Sequence, residues 1–204
     1  MKKITLTLAV LAFMSFAAVS QDMNALSKAF DSSYTYEKAG YYTQAIAKIK
    51  NLYDPASYEI NLRLGWLYYE AGSYTESTEY YQRAILLQPY AIEPRLGIIY
   101  PYSSMGNWNQ VLDNYNKILE VDPMNTYANY KVGMIYYYRE QYETALKYFE
   151  KVANLYPFDY DNTLMYAWTN YKLGKLREAK ILFQKVLLNR PGDASALEGL
   201  GLIQ

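Results

Sequence analysis

Glu59 and Glu93 are two carboxylates 34 positions apart, and a pair of carboxylates held across a cleft can work as general acid and general base. Trp66, Tyr69 and Glu70 form a second set, flat rings beside a carboxylate, which is a combination that stacks on sugar rings and holds their hydroxyls. Arg63 and Lys131 are cations that could pair with an acidic ligand group. The chain contains no histidine and no cysteine. Ser-His-Asp and thiol nucleophiles are therefore absent, and so are the usual zinc and copper ligand sets. No nucleophile motif or phosphate-binding loop accompanies the carboxylates, and any regular repeat puts like residues in register without catalysis. No enzyme, no cofactor and no metal site is expected.

Whatever holds these residues is a repeat. Pro89, Pro123, Pro157 and Pro191 recur every 34 residues, as do Ser77, Val111, Ala145 and Ala179, and Tyr81, Tyr115, Phe149 and Phe183. Tyr68, Tyr102 and Tyr136 keep the same step until Asn170 breaks that column. Within 58–91, "NLRLGWLYYEA" has helical apolar spacing, Gly72-Ser73 interrupts it, and "YTESTEYYQRAILL" resumes it before Pro89 stops it. Helix, short turn, helix and stop make a hairpin that cannot bury its apolar face alone, so neighbours must stack.

This pattern resembles the tetratricopeptide repeat family over almost the whole chain. The resemblance implies an all-α, right-handed superhelical solenoid of helix-turn-helix repeats, about five units plus a terminal helix. The units are cut at 26–57, 58–91, 92–125, 126–159 and 160–193, with a capping or partial unit at 194–204. Small residues at Gly65, Gly133 and Ala167 are expected to let paired helices approach. Unit 92–125 departs from the pattern, with Ile99 in that column and Pro101 inside its first helix, where proline removes a backbone bond and tends to kink.

In the family the concave face is lined by first-helix residues. Carried over, this assigns Tyr34, Trp66, Tyr100 and Trp168 to one kind of groove column. Tyr69, Tyr137 and Tyr171, with Tyr127, Tyr130 and Tyr138, occupy others, and Arg63 and Lys131 supply charge. Ten more tyrosines, among them Tyr42 and Tyr81, fall in packing columns. So many rings on an exposed wall exceed what packing needs and suit a binding surface. The family's carboxylate clamp uses asparagines, lysine and arginine. Here those columns hold Trp66 and Tyr100, and Arg63, Gly97 and Lys131, so that clamp is not expected. The resemblance implies a protein or peptide partner, with a glycan as the alternative.

The first residues read "MKK", then an apolar run, then Ala18-Val19-Ser20, the pattern of a cleaved signal peptide over 1–20. The expectation is an exported chain, periplasmic or secreted, with 21–204 as the repeat domain and no stable membrane anchor after cleavage. Lysine plus arginine and aspartate plus glutamate each number 20, so no basic field invites nucleic acid. The apolar "GLGLIQ" at the C-terminus either folds back or packs on a second copy, giving a possible homo-oligomer through that end.

Overall fold

The computed structural model describes residues 23–203; the expected signal peptide lies outside the described residues. Among the described residues every regular element is an α-helix. They run α1 (23–38), α2 (Tyr42–Lys50), α3 (Tyr58–Glu70), α4 (Tyr74–Leu87), α5 (Glu93–Ser104), α6 (Trp108–Val121), α7 (Thr126–Tyr138), α8 (Tyr142–Leu155), α9 (Tyr160–Lys172), α10 (Leu176–Asn189) and α11 (Ala194–Gly201). The turns fall where the 34-residue period places them.

The start signals are chemical. Four first helices open on a side-chain cap, in which Ser57, Asn125, Asp159 and Asp193 accept from the backbone N–H three residues on. Such caps satisfy one of the orphan donors at a helix start. Asn61 and Asn129 add a second clamp, each Nδ2 donating to a proline carbonyl in the preceding loop and to the cap residue's carbonyl. The helix α5 lacks a side-chain cap and instead carries Pro94 in its first turn, a residue whose missing N–H costs nothing there. It continues through Pro101 to Ser104, with Pro101 buried.

The described residues form two compact units that divide between Gly106 and Asn107. The division falls inside the expected hairpin 92–125, the one in which Ile99 stands where Gly65 and Gly133 stand elsewhere. In the first unit Ala45, Ile49, Ile60, Leu64, Leu67 and Tyr80 form the core cluster. Each fully buried leucine or isoleucine contributes about 1.5–3 kcal/mol. A Cβ on Gly65 would lie 2.8 Å from the Tyr81 ring, and Ser77 Oγ donates to the Gly65 carbonyl at 2.7 Å. The expected close approach of α3 and α4 is therefore made by a ring on glycine and a hydroxyl on its carbonyl.

In the second unit Gly133 takes the Phe149 ring in the same way, a Cβ falling 2.7 Å from it. Ala167, Ala179, Phe183, Val186 and Ala196 form a core cluster, with Leu200 and Ile203 packed against it. The C-terminal segment thus folds back, α11 lying on α9 and α10, while Leu197 and Leu202 stay exposed.

Candidate functional site

Tyr34, Arg63, Trp66 and Tyr100 of the expected groove, with Glu59, Glu70 and Glu93, line a cleft of about 1220 Å³. Tyr69 adjoins it through its rings: the centroids of Trp66, Tyr69 and Tyr100 lie 5.4 to 6.2 Å apart. Offset and edge contacts at such distances are favourable. Trp66 and Tyr69 are one turn apart on α3, and Tyr100 comes from α5. Tyr34 and Tyr100 keep 48% and 46% of their surface open, so the cluster is only half covered by its own packing.

Arg63 is not the solvated groove charge that its column implies. Its side chain is buried and its Nη2 donates to Glu37 at 2.6 Å. Nε and Nη2 both donate to the buried hydroxyl of Ser33, and the guanidinium sits 3.9 Å over the Tyr34 ring. The other Glu37 oxygen accepts from the Trp66 indole N–H. Glu37 therefore ties α1 to α3 twice, holding both the arginine and the tryptophan. The cause is elementary: a charge leaving water must be paired and hydrogen-bonded.

Tyr42 and Tyr81, which fall in packing columns, also line the cleft. Tyr81 is buried with its ring against Gly65 and Gly97, whereas Tyr42 is half-buried. The Tyr42 hydroxyl donates to Glu70 at 3.3 Å. Tyr58, not singled out from the sequence, donates to Glu93 at 3.2 Å. Desolvation and the neighbouring Glu93 carboxylate push the Tyr58 hydroxyl up to about 12. Desolvation, then the Glu70 carboxylate, raises that of Tyr42. These hydroxyls stay neutral donors at physiological pH. The period could have revealed Tyr58, since Tyr160 repeats it three units later.

Glu59 accepts from Ser57 Oγ at 3.1 Å. Both Glu59 and Glu93 are exposed, and each meets a hydroxyl rather than a cation. Among the described residues no group of three or more acidic, histidine or cysteine side chains is placed to hold a metal ion.

In the second unit Tyr127, Tyr130 and Lys131 line a smaller cleft of about 400 Å³ with Asp159 and Asp161. Lys131 Nζ lies 5.4 Å from the Tyr127 ring centroid and 5.7 Å from that of Tyr130, within cation–π range. Tyr137 packs edge-on to Tyr138 and Tyr142, and Tyr138 is 74% exposed. Trp168 is drawn into packing: its ring meets Phe183 at 4.9 Å and Tyr171 at 5.6 Å, and its indole N–H donates to Ser195 Oγ at 2.9 Å.

Two family models, each described as tetratricopeptide repeat, match residues 32–92 and 136–201. The chain is 26% identical over 173 residues to the TPR repeat-containing protein YpiA of Bacillus subtilis (strain 168), covering 81% of this chain and 41% of that one. It is 29% identical over 152 residues to the human protein O-mannosyl-transferase TMTC1, of which it covers 17%. The chain thus spans less than half the length of these curated relatives. Among solved structures, a tetratricopeptide repeat protein from Parabacteroides merdae superposes with TM-score 0.74 at 20% identity, over 88% of this chain and 72% of that one. The MamA protein superposes with TM-score 0.70 at 19% identity, over 83% and 94%. Family-model matches at residues 32–92 and 136–201, a solenoid fold shared with solved repeat structures, and helical hairpins in 34-residue register all agree: the chain carries tetratricopeptide repeats.

Proposed function

We propose that this chain is a non-enzymatic scaffold that takes a segment of a partner protein into the aromatic cleft of its first unit, acting after export, in the periplasm or outside the cell. One observation carries the reading: Trp66, Tyr69 and Tyr100 form a preassembled ring cluster beside a 1220 Å³ cleft, with Tyr34 and Tyr100 half-exposed. Rigid aromatic side chains lose little entropy on contact and recur as binding anchors. The Glu37 bonds to Arg63 and Trp66 fix the wall before any ligand arrives, which lowers the cost of binding. The "MKK" start and Ala18-Val19-Ser20 support export.

The test compares the full chain with a Trp66→Ala, Tyr100→Ala variant in an affinity pull-down from the envelope fraction, with circular dichroism on both. A protein retained by the first and lost by the still-helical second supports the reading. Equal retention removes the cleft from it. The adjacency of Trp66, Tyr69 and Glu70 also suits a glycan. Release of the captured partner by soluble oligosaccharide favours that alternative, and a flat titration with cell-wall glycans eliminates it.

A further inference from the structure

The cleft of the first unit is lined by four carboxylates, Glu37, Glu59, Glu70 and Glu93, and by two cations, Lys38 and Arg63. Arg63 and Glu37 neutralise each other at 2.6 Å. Glu59, Glu70 and Glu93 accept from Ser57, Tyr42 and Tyr58 hydroxyls, and among the described residues none of the three has an ion-pair partner. Lys38 alone opposes them, and it is exposed. The lining is acidic over an aromatic floor.

Glu59 and Glu93 sit in the first turns of α3 and α5, where the helix dipole favours an acid and explains it without a ligand. Glu70 is different. It is the last residue of α3, where exposed carbonyls favour a cation, and its partner from Tyr42 is a neutral hydroxyl at 3.3 Å. A carboxylate against the local electrostatic rule, partly buried in a cleft, marks a place where a positive group is missing.

We propose that this cleft selects a basic segment of the partner, one that places lysine or arginine side chains against Glu70 and against the Glu59–Glu93 pair. The inference rests on the scaffold reading above and deepens it. The two acidic ends are 11 residues apart on α3, about 16 Å at the helical rise. An extended peptide covers that span in about five residues. The recognised segment therefore carries two basic residues about five positions apart with apolar side chains between them, which meet the Trp66–Tyr69–Tyr100 rings. The rings add cation–π attraction for the basic heads, and the uncompensated carboxylates exclude acidic segments by like-charge repulsion.

The test uses the full chain and three fluorescein-labelled decapeptides. They share one apolar centre and carry lysine, glutamine or glutamate at the two flanking positions. By anisotropy at low salt the lysine peptide is expected to bind at least about tenfold more tightly than the glutamine peptide, and the glutamate peptide more weakly than either. The Glu70→Gln, Glu93→Gln variant, checked by circular dichroism, is expected to bind the lysine and glutamine peptides equally. Equal binding of lysine and glutamine peptides overturns charge selection and leaves the cleft reading standing. A lysine preference that survives in the variant places basic recognition elsewhere and overturns the proposal. No binding by any peptide overturns both.

Discussion

Arg63 and Glu37 meet at 2.6 Å across α1 and α3, with only 6% and 22% of their side chains exposed. Removing one partner strands the other. Glu37→Gln is expected to lower the stability of the first unit by about 3 kcal/mol, because breaking a buried pair leaves an uncompensated charge. The drop is read as an earlier urea midpoint by circular dichroism. Joint replacement, Glu37→Gln with Arg63→Met, is expected to recover much of the loss. A double variant no better than the single one would show that the Arg63 bonds to Ser33 and its stacking on Tyr34, not the charge pair, are what matter.

Gly97 is the tightest glycine of the first unit: a Cβ there would stand 2.3 Å from the Tyr81 ring. Gly97→Ala is expected to cost about 1–3 kcal/mol through overpacking. Gly201, in the last helix, has open space around it, so Gly201→Ala should be neutral or stabilise by up to about 1 kcal/mol. Thermal melts of the two alanine variants check the contrast.

Five turns between successive helices pass through a residue with positive φ at the same place, namely Gly40, Gly72, Gly106, Gly174 and, as the one non-glycine among the described residues, Glu140 at φ 59°. A side chain in the left-handed region costs about 1–2 kcal/mol, so Glu140→Gly is expected to stabilise the second unit by about 1 kcal/mol. A thermal midpoint that fails to rise would mean that the Glu140 side chain has gained a compensating role.

Alkali should unfold the protein through its tyrosines. Tyr58 and Tyr130 are each pushed up to about 12, chiefly by desolvation and then by carboxylates, and burial raises Tyr81 further. Below about pH 10 these groups are protonated in both states and the native state keeps its full stability. Above it the unfolded chain releases protons that the native chain retains, so stability falls from pH 10 towards 12. Absorbance at the tyrosinate band and helicity should change together in that window. Smooth ionisation of all tyrosines near pH 10 with helicity intact would contradict it.

The period displayed the hairpins because one structural demand recurs: a ring from the second helix needs a small residue on the first, as Tyr81 does with Gly65 and Phe149 with Gly133. That demand leaves a mark at Gly65, Gly133 and Ala167, with Ile99 the exception in the column. The pairing of Glu37 with Arg63 leaves none, since it joins two hairpins once and neither residue repeats. For the same reason Arg63 read as a groove cation when it is a buried strut. Tyr42 and Tyr81 read as packing because a column assigns a residue to one face. A tyrosine is long enough to bury its ring and present its hydroxyl elsewhere. Trp168 fell in a groove column yet lies on Phe183, a neighbour that its column could not foretell.

The ring of Tyr81 touches glycine twice, on Gly65 of its own hairpin and on Gly97 of the next. Phe183 likewise lies against Gly199 of the helix that follows it. Lys131 and Met165 occupy the positions between Gly97 and Gly199 in that column. The seat of this ring consequently straddles a hairpin boundary. A cut after Gln88 separates Tyr81 from Gly97, and a cut between α3 and α4 separates it from Gly65, so a transplanted hairpin carries half of the seat with it. Where Lys131 or Met165 stands in that column, no glycine spans the boundary. Exchange of hairpins, natural or engineered, should therefore be tolerated better at those boundaries than at Gln88.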